Sequence, residues 1–290
     1  MKVAVLCRTL GKHCGISEYA LCLGEWLNAV VVSSAADVPP DIDITFIQYE
    51  PTLYDGLVST LIDEIRHLPS IVVVDIHTEL PSDIVQTLVL VAEEWPKALI
   101  PAVKLNPRHG MWYLPHVNYP EPDLPDVKPT KLKLGSFGLA YPNKRYEEIF
   151  RLAWRLKVPT IVLAAEGNAT SEIAMLSAEY IHFLQEIRPP NVELDTNFYT
   201  RTEIISVLRS CSHLICAMED LGRISGSLRL MALAHRPIIS LPCTGASEVG
   251  AITVPSLRTI TKKWLIAQTR LPVVEDGIYQ YHRLLKELFK

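Results

Sequence analysis

The chain has no run near the ~20 apolar residues of a membrane-crossing helix, and no spanning segment is expected. It also lacks a basic surplus: 28 Lys and Arg stand against 32 Asp and Glu, a net charge of −4. A dedicated nucleic-acid binder usually carries the opposite balance, although a local basic groove stays open. None of the six cysteines (Cys7, Cys14, Cys22, Cys211, Cys216 and Cys243) forms a CxxC pair. A zinc site is therefore not expected, and no other metal site is. Three of them, Cys7, Cys22 and Cys216, fall in expected strands or helices, and the set reads as reduced, buried thiols of a cytoplasmic protein. No apolar segment near the start resembles a secretory leader. Internal repeats and low-complexity stretches are missing too.

What is present is an ordinary globular composition, 49% hydrophobic and 21% charged, over 290 residues. That length suggests about two domains, each with a core of its own. Short apolar strands are expected at 2–7, 30–33, 42–48, 70–76 and 98–103. Helical periodicity covers 18–27, 57–67 and 83–95. Continuous apolar strands alternating with helices imply a parallel sheet covered on both faces. Residues 118–130, NYPEPDLPDVKPT, carry four prolines without periodicity and read as a linker. A second alternation follows, with strands at 132–137, 160–165, 213–217 and 238–241. Its helices are expected at 146–156, 171–187, 202–209 and 228–234. A last helix is expected from residue 278. The boundaries are therefore 1–125 and 131–275 for two Rossmann-like α/β domains facing across a cleft. Residues 276–290 form a terminal helix able to pack back on the first domain.

The second half centres on residues 191–250. The strand at 213–217 leads into a polar loop, Met218 to Ser227, and then into a helix. Ser225, Gly226 and Ser227 stand just before that helix. Small residues there let backbone N–H groups face an anion, which the helix dipole favours. Ordinary capping explains the same residues equally well. In open α/β sheets ligands bind beyond the carboxyl ends of the strands. The loops expected at the site are therefore Gly11 to Ser17, Gln48 to Pro51, His77 to Leu80, Gly138 to Lys144, and Met218 to Ser227.

Five stretches carry a family resemblance: GKHCGISEYALCLGEWL (Gly11 to Leu27), FIQYEPTLY (Phe46 to Tyr54), VVVDIHTELP (Val72 to Pro81), LPHVNYP (Leu114 to Pro120) and GSFGLAYPNKRYEEIFRLAWRL (Gly135 to Leu156). In this order and spacing they resemble the GT-B glycosyltransferases, most nearly the retaining enzymes of family 4. The resemblance covers nearly the whole chain. It implies a sugar transferred from a nucleotide-diphosphate donor to an acceptor, without a further cofactor. The acceptor stays open among glycan, lipid, protein, small molecule and nucleic-acid base, as does the oligomeric state. His77, Lys144 and Glu219 are the implied catalytic residues. Gly15, Lys144, Arg145, Arg223, Ser225, Gly226 and Ser227 are implied on the donor side, and Gln48, Tyr49, Glu50 and His116 on the acceptor side. Arg229 reads as lying on the solvated face of its helix, and the run from Lys104 to His109 reads as a solvated loop.

Two positions depart from the family pattern. Leu139 stands nearest the usual arginine. Ser227, eight residues past Glu219, stands where the family carries a second glutamate. A catalytically silent nucleotide- or sugar-binding protein of the same fold therefore stays open, as does a nucleotide-sugar epimerase.

Overall fold

The computed structural model describes residues 1–290 except 55–56, 79, 96–97, 105–110, 126, 221–224, 275–276 and 290, with only the backbone at 52. The chain divides into two compact units: Met1–Gly11 with Gly15–Tyr119 and Asp276–Lys290, and Lys12–Cys14 with Pro120–Glu275.

The first unit runs β1 (Val3–Leu6), α1 (Gly15–Leu27), β2 (Val30–Val32), β3 (Ile44–Tyr49), α2 (Val58–Ile65), β4 (Ile71–Ile76), α3 (Ser82–Glu94), β5 (Leu99–Val103) and β6 (Trp112–Tyr113). The second runs β7 (Leu134–Phe137), α4 (Tyr146–Leu156), β8 (Thr160–Leu163), α5 (Ser171–Ile187), β9 (Val192–Asp195), α6 (Arg201–Arg209), β10 (His213–Cys216), α7 (Gly226–Ala232), β11 (Ile238–Ser240), β12 (Ile252–Thr253) and α8 (Lys262–Ala267). The last helix, α9 (Ile278–Leu288), belongs to the first unit.

Each unit holds a six-stranded sheet, ordered β2-β1-β3-β4-β5-β6 in one and β12-β11-β10-β7-β8-β9 in the other. Every strand pairing in both is parallel. The strands are apolar runs because helices cover both faces: all six residues of β3 are buried, as are five of the six in β4. These are two Rossmann-like α/β units.

Local chemistry starts and stops the helices. Thr170 caps α5 by accepting from the Ile173 N–H, and Thr200 with Glu203 forms a capping box at α6. Helix α4 turns Ile149, Phe150, Ala153 and Leu156 inward and ends where Lys157 takes a left-handed φ of 49°.

Several boundaries differ from the sequence reading. Helix α1 starts at Gly15, three residues before Glu18. Helix α7 starts at Gly226 rather than Leu228, because Ser225 is its cap: its Oγ accepts from the Leu228 N–H at 3.4 Å. Strands β6, β9 and β12 and helix α8 were not expected. Strand β9 alternates buried Val192 with exposed Glu193 at the sheet edge, and β6 and β12 are two residues each, too short for a periodic signal. Among the described residues no helix is long and apolar enough to cross a membrane.

Candidate functional site

In the first unit the chemistry gathers behind the ends of β3 and β4. His77 is the residue after β4, and its N–H donates to the Tyr49 carbonyl at 3.1 Å. Its ring Nε2 lies 2.7 Å from Gln48 Oε1. The Gln48 Nε2 beside it is buried and has no hydrogen-bond partner among the described residues. Tyr19 of α1 sets its ring edge-on to His77 at 5.0 Å and to His116 at 4.5 Å, and the two histidine rings are 5.3 Å apart.

Beneath them lies a buried ionic network. Lys104 and Asp75 are 1% and 0% exposed, and Lys104 Nζ sits 2.6 Å from Asp75 Oδ1. The ammonium also donates to Tyr19 Oη at 3.0 Å and to Tyr281 Oη. Tyr281 of α9 donates to Asp75 Oδ2 at 2.9 Å and stands 2.8 Å from Tyr19 Oη. Burial, then the Asp75 carboxylate, holds both phenols well above their ordinary range. Burial pushes the His77 imidazole down to about 4; Lys104 pushes the same way and Asp75 opposes. His77 is therefore neutral at physiological pH, and with Nε2–H donating to Gln48 its Nδ1 carries the lone pair.

The expected acceptor-side residues do not stay together. Gln48 and His116 join the His77 group. Tyr49, one residue on, points to the opposite face of the strand. It is fully buried in the apolar core against Tyr54, at 5.2 Å between rings. Glu50 is also buried, and its carbonyl accepts from Leu53 N–H in the turn that follows β3. Lys104 corrects the reading of 104–109 as a solvated run, because it is the partner that Asp75 requires; residues 105–109 lie outside those described. Asp75, Tyr19 and Tyr281 were not expected as site residues. The available signal was Asp75 itself, a carboxylate inside the apolar strand IVVVDI.

In the second unit the sheet order reverses direction between β7 and β10. Such a switch point leaves a crevice beyond the strand ends. Lys144 ends a tight turn, Pro142–Lys144, after β7. Its Nζ lies 3.4 Å from Ser227 Oγ in the first turn of α7 and 3.3 Å from Met218 Sδ beyond β10. Gly138 closes the group: a Cβ there would stand 2.9 Å from both Ser227 Oγ and Tyr146 Oη. The Tyr146 hydroxyl is buried without a hydrogen-bond partner among the described residues. Burial lowers the Lys144 pKa from the ordinary lysine value, and Cys216 and Cys243 oppose that shift.

Of the other donor-side residues, Glu219 is exposed, and its N–H donates to the Asn143 carbonyl at 2.8 Å, which ties it beside the Lys144 turn. Arg145 adopts a left-handed φ of 51° and places its guanidinium 3.6 Å from Glu148. Ser225 spends its hydroxyl on the helix cap. Gly226 is the first residue of α7. Arg223 lies outside the described residues. Arg229 is not on a solvated face: it is 5% exposed and pairs with Glu248 at 2.9 Å. In the first unit, Gly15 is exposed at the start of α1, where a Cβ would meet nothing within 4 Å. Among the described residues no group of three or more His, Cys, Asp or Glu is placed to hold a metal ion.

No protein-family model matches the chain, and no curated protein matches it. Solved structures do. The chain is similar to HepE of Anabaena in complex with UDP-glucose, at TM-score 0.65 and 11% identity, over 100% of this chain and 99% of that one. It is similar to TarM at TM-score 0.53 and 12% identity, over 84% of this chain but only 52% of TarM. A UDP-forming α,α-trehalose-phosphate synthase of Burkholderia xenovorans matches at TM-score 0.52 and 12% identity, over 87% and 70%. At these identities the likeness is one of fold, and the fold it shows is the GT-B type, two Rossmann-like α/β units in one chain.

Proposed function

We propose that this protein is a glycosyltransferase, of the retaining family-4 kind, that moves a sugar from a nucleotide-diphosphate donor to an acceptor. The observation that carries the reading is the switch point of the second unit. There a partly buried ammonium, Lys144, converges with the Ser227 hydroxyl beside Gly138, whose lack of a side chain lets Ser227, Tyr146 and Lys144 approach the backbone closely. A partly buried cation whose contacts among the described residues are neutral and long, at 3.3 and 3.4 Å, is suited to a departing diphosphate. HepE, of the same fold and full length, was solved with UDP-glucose. In this reading the second unit holds the donor, with Glu219 toward the sugar hydroxyls and Arg145 and Arg223 as further cations. The first unit holds the acceptor, with His77 and Gln48 presenting hydrogen bonds to it. Lys144 neutralises the leaving group, so no metal and no other cofactor are required. All six cysteines are free, which suits a reducing cytoplasm.

Ser227 also favours a second reading. Where the family pattern has a carboxylate, Lys144 faces a hydroxyl, as in a protein that binds the nucleotide without turnover. Calorimetry with nucleoside diphosphates, followed by an assay of diphosphate release from nucleotide sugars, separates the readings. Diphosphate binding with release supports transfer, and binding without release supports the silent protein. Conversion of the donor sugar without release indicates an epimerase. No diphosphate binding at all refutes the site.

A further inference from the structure

Globular proteins scatter exposed apolar side chains singly, and such residues need no explanation. On the second unit five of them gather instead. Trp154, Met175, Leu176, Phe183 and Ile187, all between 41% and 60% exposed, sit on α4 and α5. These two helices pack side by side. Tyr180 Oη of α5 donates to Glu147 of α4 at 2.6 Å and accepts from the Tyr146 N–H at 2.8 Å. The Tyr146, Tyr180 and Phe183 rings stack in a row, with centroids 6.4 and 6.1 Å apart. From this contact the apolar face continues along both helices. Leu176, Tyr180, Phe183 and Ile187 are spaced four, three and four residues apart, which is one stripe of a helix. Trp154 stands two turns past Glu147, on the side of α4 that meets α5. The indole and the stripe therefore border one seam. Tyr180 closes its floor and is buried, whereas Trp154 and Phe183 are left open to water.

The two banks of the seam carry opposite charge. Helix α5 has three exposed glutamates, Glu172, Glu179 and Glu186, and neither Lys nor Arg. Their even spacing of seven residues sets them in one line. On α4 the exposed charges are Arg151 and Arg155, and Lys157 follows its last turn. The two carboxylates of α4 are engaged within the unit, Glu147 by Tyr180 and Glu148 by Arg151 and Arg145. A face that is apolar between a basic and an acidic bank is complementary to itself. Under a two-fold rotation about an axis along the seam, α4 of one copy lies over α5 of the other. The basic bank then meets the acidic one, and Trp154 meets the Phe183 stripe.

We propose that this face is an interaction surface for a second copy of the chain, an isologous dimer formed by α4 and α5. The proposal stands independently of the transfer reading, since Trp154, Phe183 and the charges that flank them have no part in it.

Sedimentation equilibrium of the full chain should show a reversible dimer at loadings up to about 100 μM. Phe183→Glu places a charge in the seam at an exposed position. It should weaken the dimer at least ~10-fold in Kd and leave the far-ultraviolet spectrum unchanged. Charge reversal tests the pairing of the banks. Arg151→Glu with Lys157→Glu makes both banks acidic. Glu172→Lys with Glu179→Lys and Glu186→Lys makes both basic. Each of these variants alone should be monomeric, and an equimolar mixture should restore the dimer. A wild-type chain that stays monomeric through that range overturns the proposal. So does a dimer that Phe183→Glu leaves intact, or a mixture of the two reversed chains that stays monomeric. If a variant fails to fold, hydrogen exchange on the wild type decides. Protection that grows with concentration over 146–157 and 171–188 supports the surface, and its absence there overturns it.

Discussion

Replacing Lys144 with alanine separates binding from stability at one side chain. The Lys144 ammonium is partly buried, and its contacts to Met218 Sδ and Ser227 Oγ are long and neutral. Among the described residues no ion pair compensates its charge, and burial lowers its pKa. A charge held this way contributes little to folding, so Lys144→Ala should leave the unfolding midpoint unchanged or raise it. A diphosphate supplies the missing anion. Losing that contact should weaken nucleoside-diphosphate binding by about 1.5–3 kcal/mol, the range for a hydrogen bond to a charged group. In Kd that is roughly 10- to 150-fold. The parent nucleoside, with no phosphate, should bind the two proteins alike. A proton linkage follows as well. The folded pKa is depressed, so the unfolded chain holds more protons between that value and 10.5, and the stability of the free protein rises with pH across that window. A bound diphosphate favours the protonated lysine, so binding takes up protons and its affinity falls as pH climbs through the depressed pKa. Calorimetry in buffers of different ionisation enthalpy reads the uptake directly. Equal losses for nucleoside and diphosphate, or none for the diphosphate, would refute the placement of Lys144 in a phosphate cradle.

The remaining predictions concern His77, the Asp75 network and Gly138. The folded His77 value of about 4 lies below the ordinary 6.5. Its neutral burial therefore stabilises the fold above pH 6.5, by roughly 3 kcal/mol at 1.36 kcal/mol per unit. That stability is lost as pH falls toward 4, and His77→Gln should flatten the slope in urea titrations run at several pH values. In the transfer reading, His77→Ala should lower turnover by at least ~10² while sparing nucleotide binding; unchanged turnover would make His77 structural. Lys104→Met should cost about 3–5 kcal/mol because it strands the buried Asp75 carboxylate. Lys104→Met with Asp75→Asn should recover part of that loss in denaturant unfolding, and strict additivity would argue against the pair. Gly138→Ala places a methyl 2.9 Å from Ser227 Oγ and Tyr146 Oη. It should lower stability by about 1–3 kcal/mol and reduce diphosphate binding along with it, measured by thermal shift with and without ligand.

The parallel sheets were legible because strands such as β3, β4 and β10 are continuous apolar runs between helical periods. Edge elements were not: VELD alternates, and a two-residue strand has no period to read. Lys144 and Ser227 stand 83 residues apart, yet each follows a strand, and the parallel topology brings such loops to one end of the sheet. The buried network obeyed a different logic. Charge runs are normally solvated, and Lys104 opens one, so its burial ran against that expectation. Tyr281 lies 206 residues from Asp75, beyond any local pattern. Asp75 itself was the readable clue. A carboxylate with no exposure in the middle of a parallel sheet requires a cation or several donors. Strand β4 pairs with β5, with Asp75 opposite Ala102 and Ile76 opposite Val103. Lys104 is the next residue, two beyond the position opposite Asp75 and so on the same face as the carboxylate it must neutralise. An ionisable residue inside an apolar strand thus points to its own partner on the neighbouring strand, and here that reasoning leads from Asp75 to Lys104 and to the floor beneath His77.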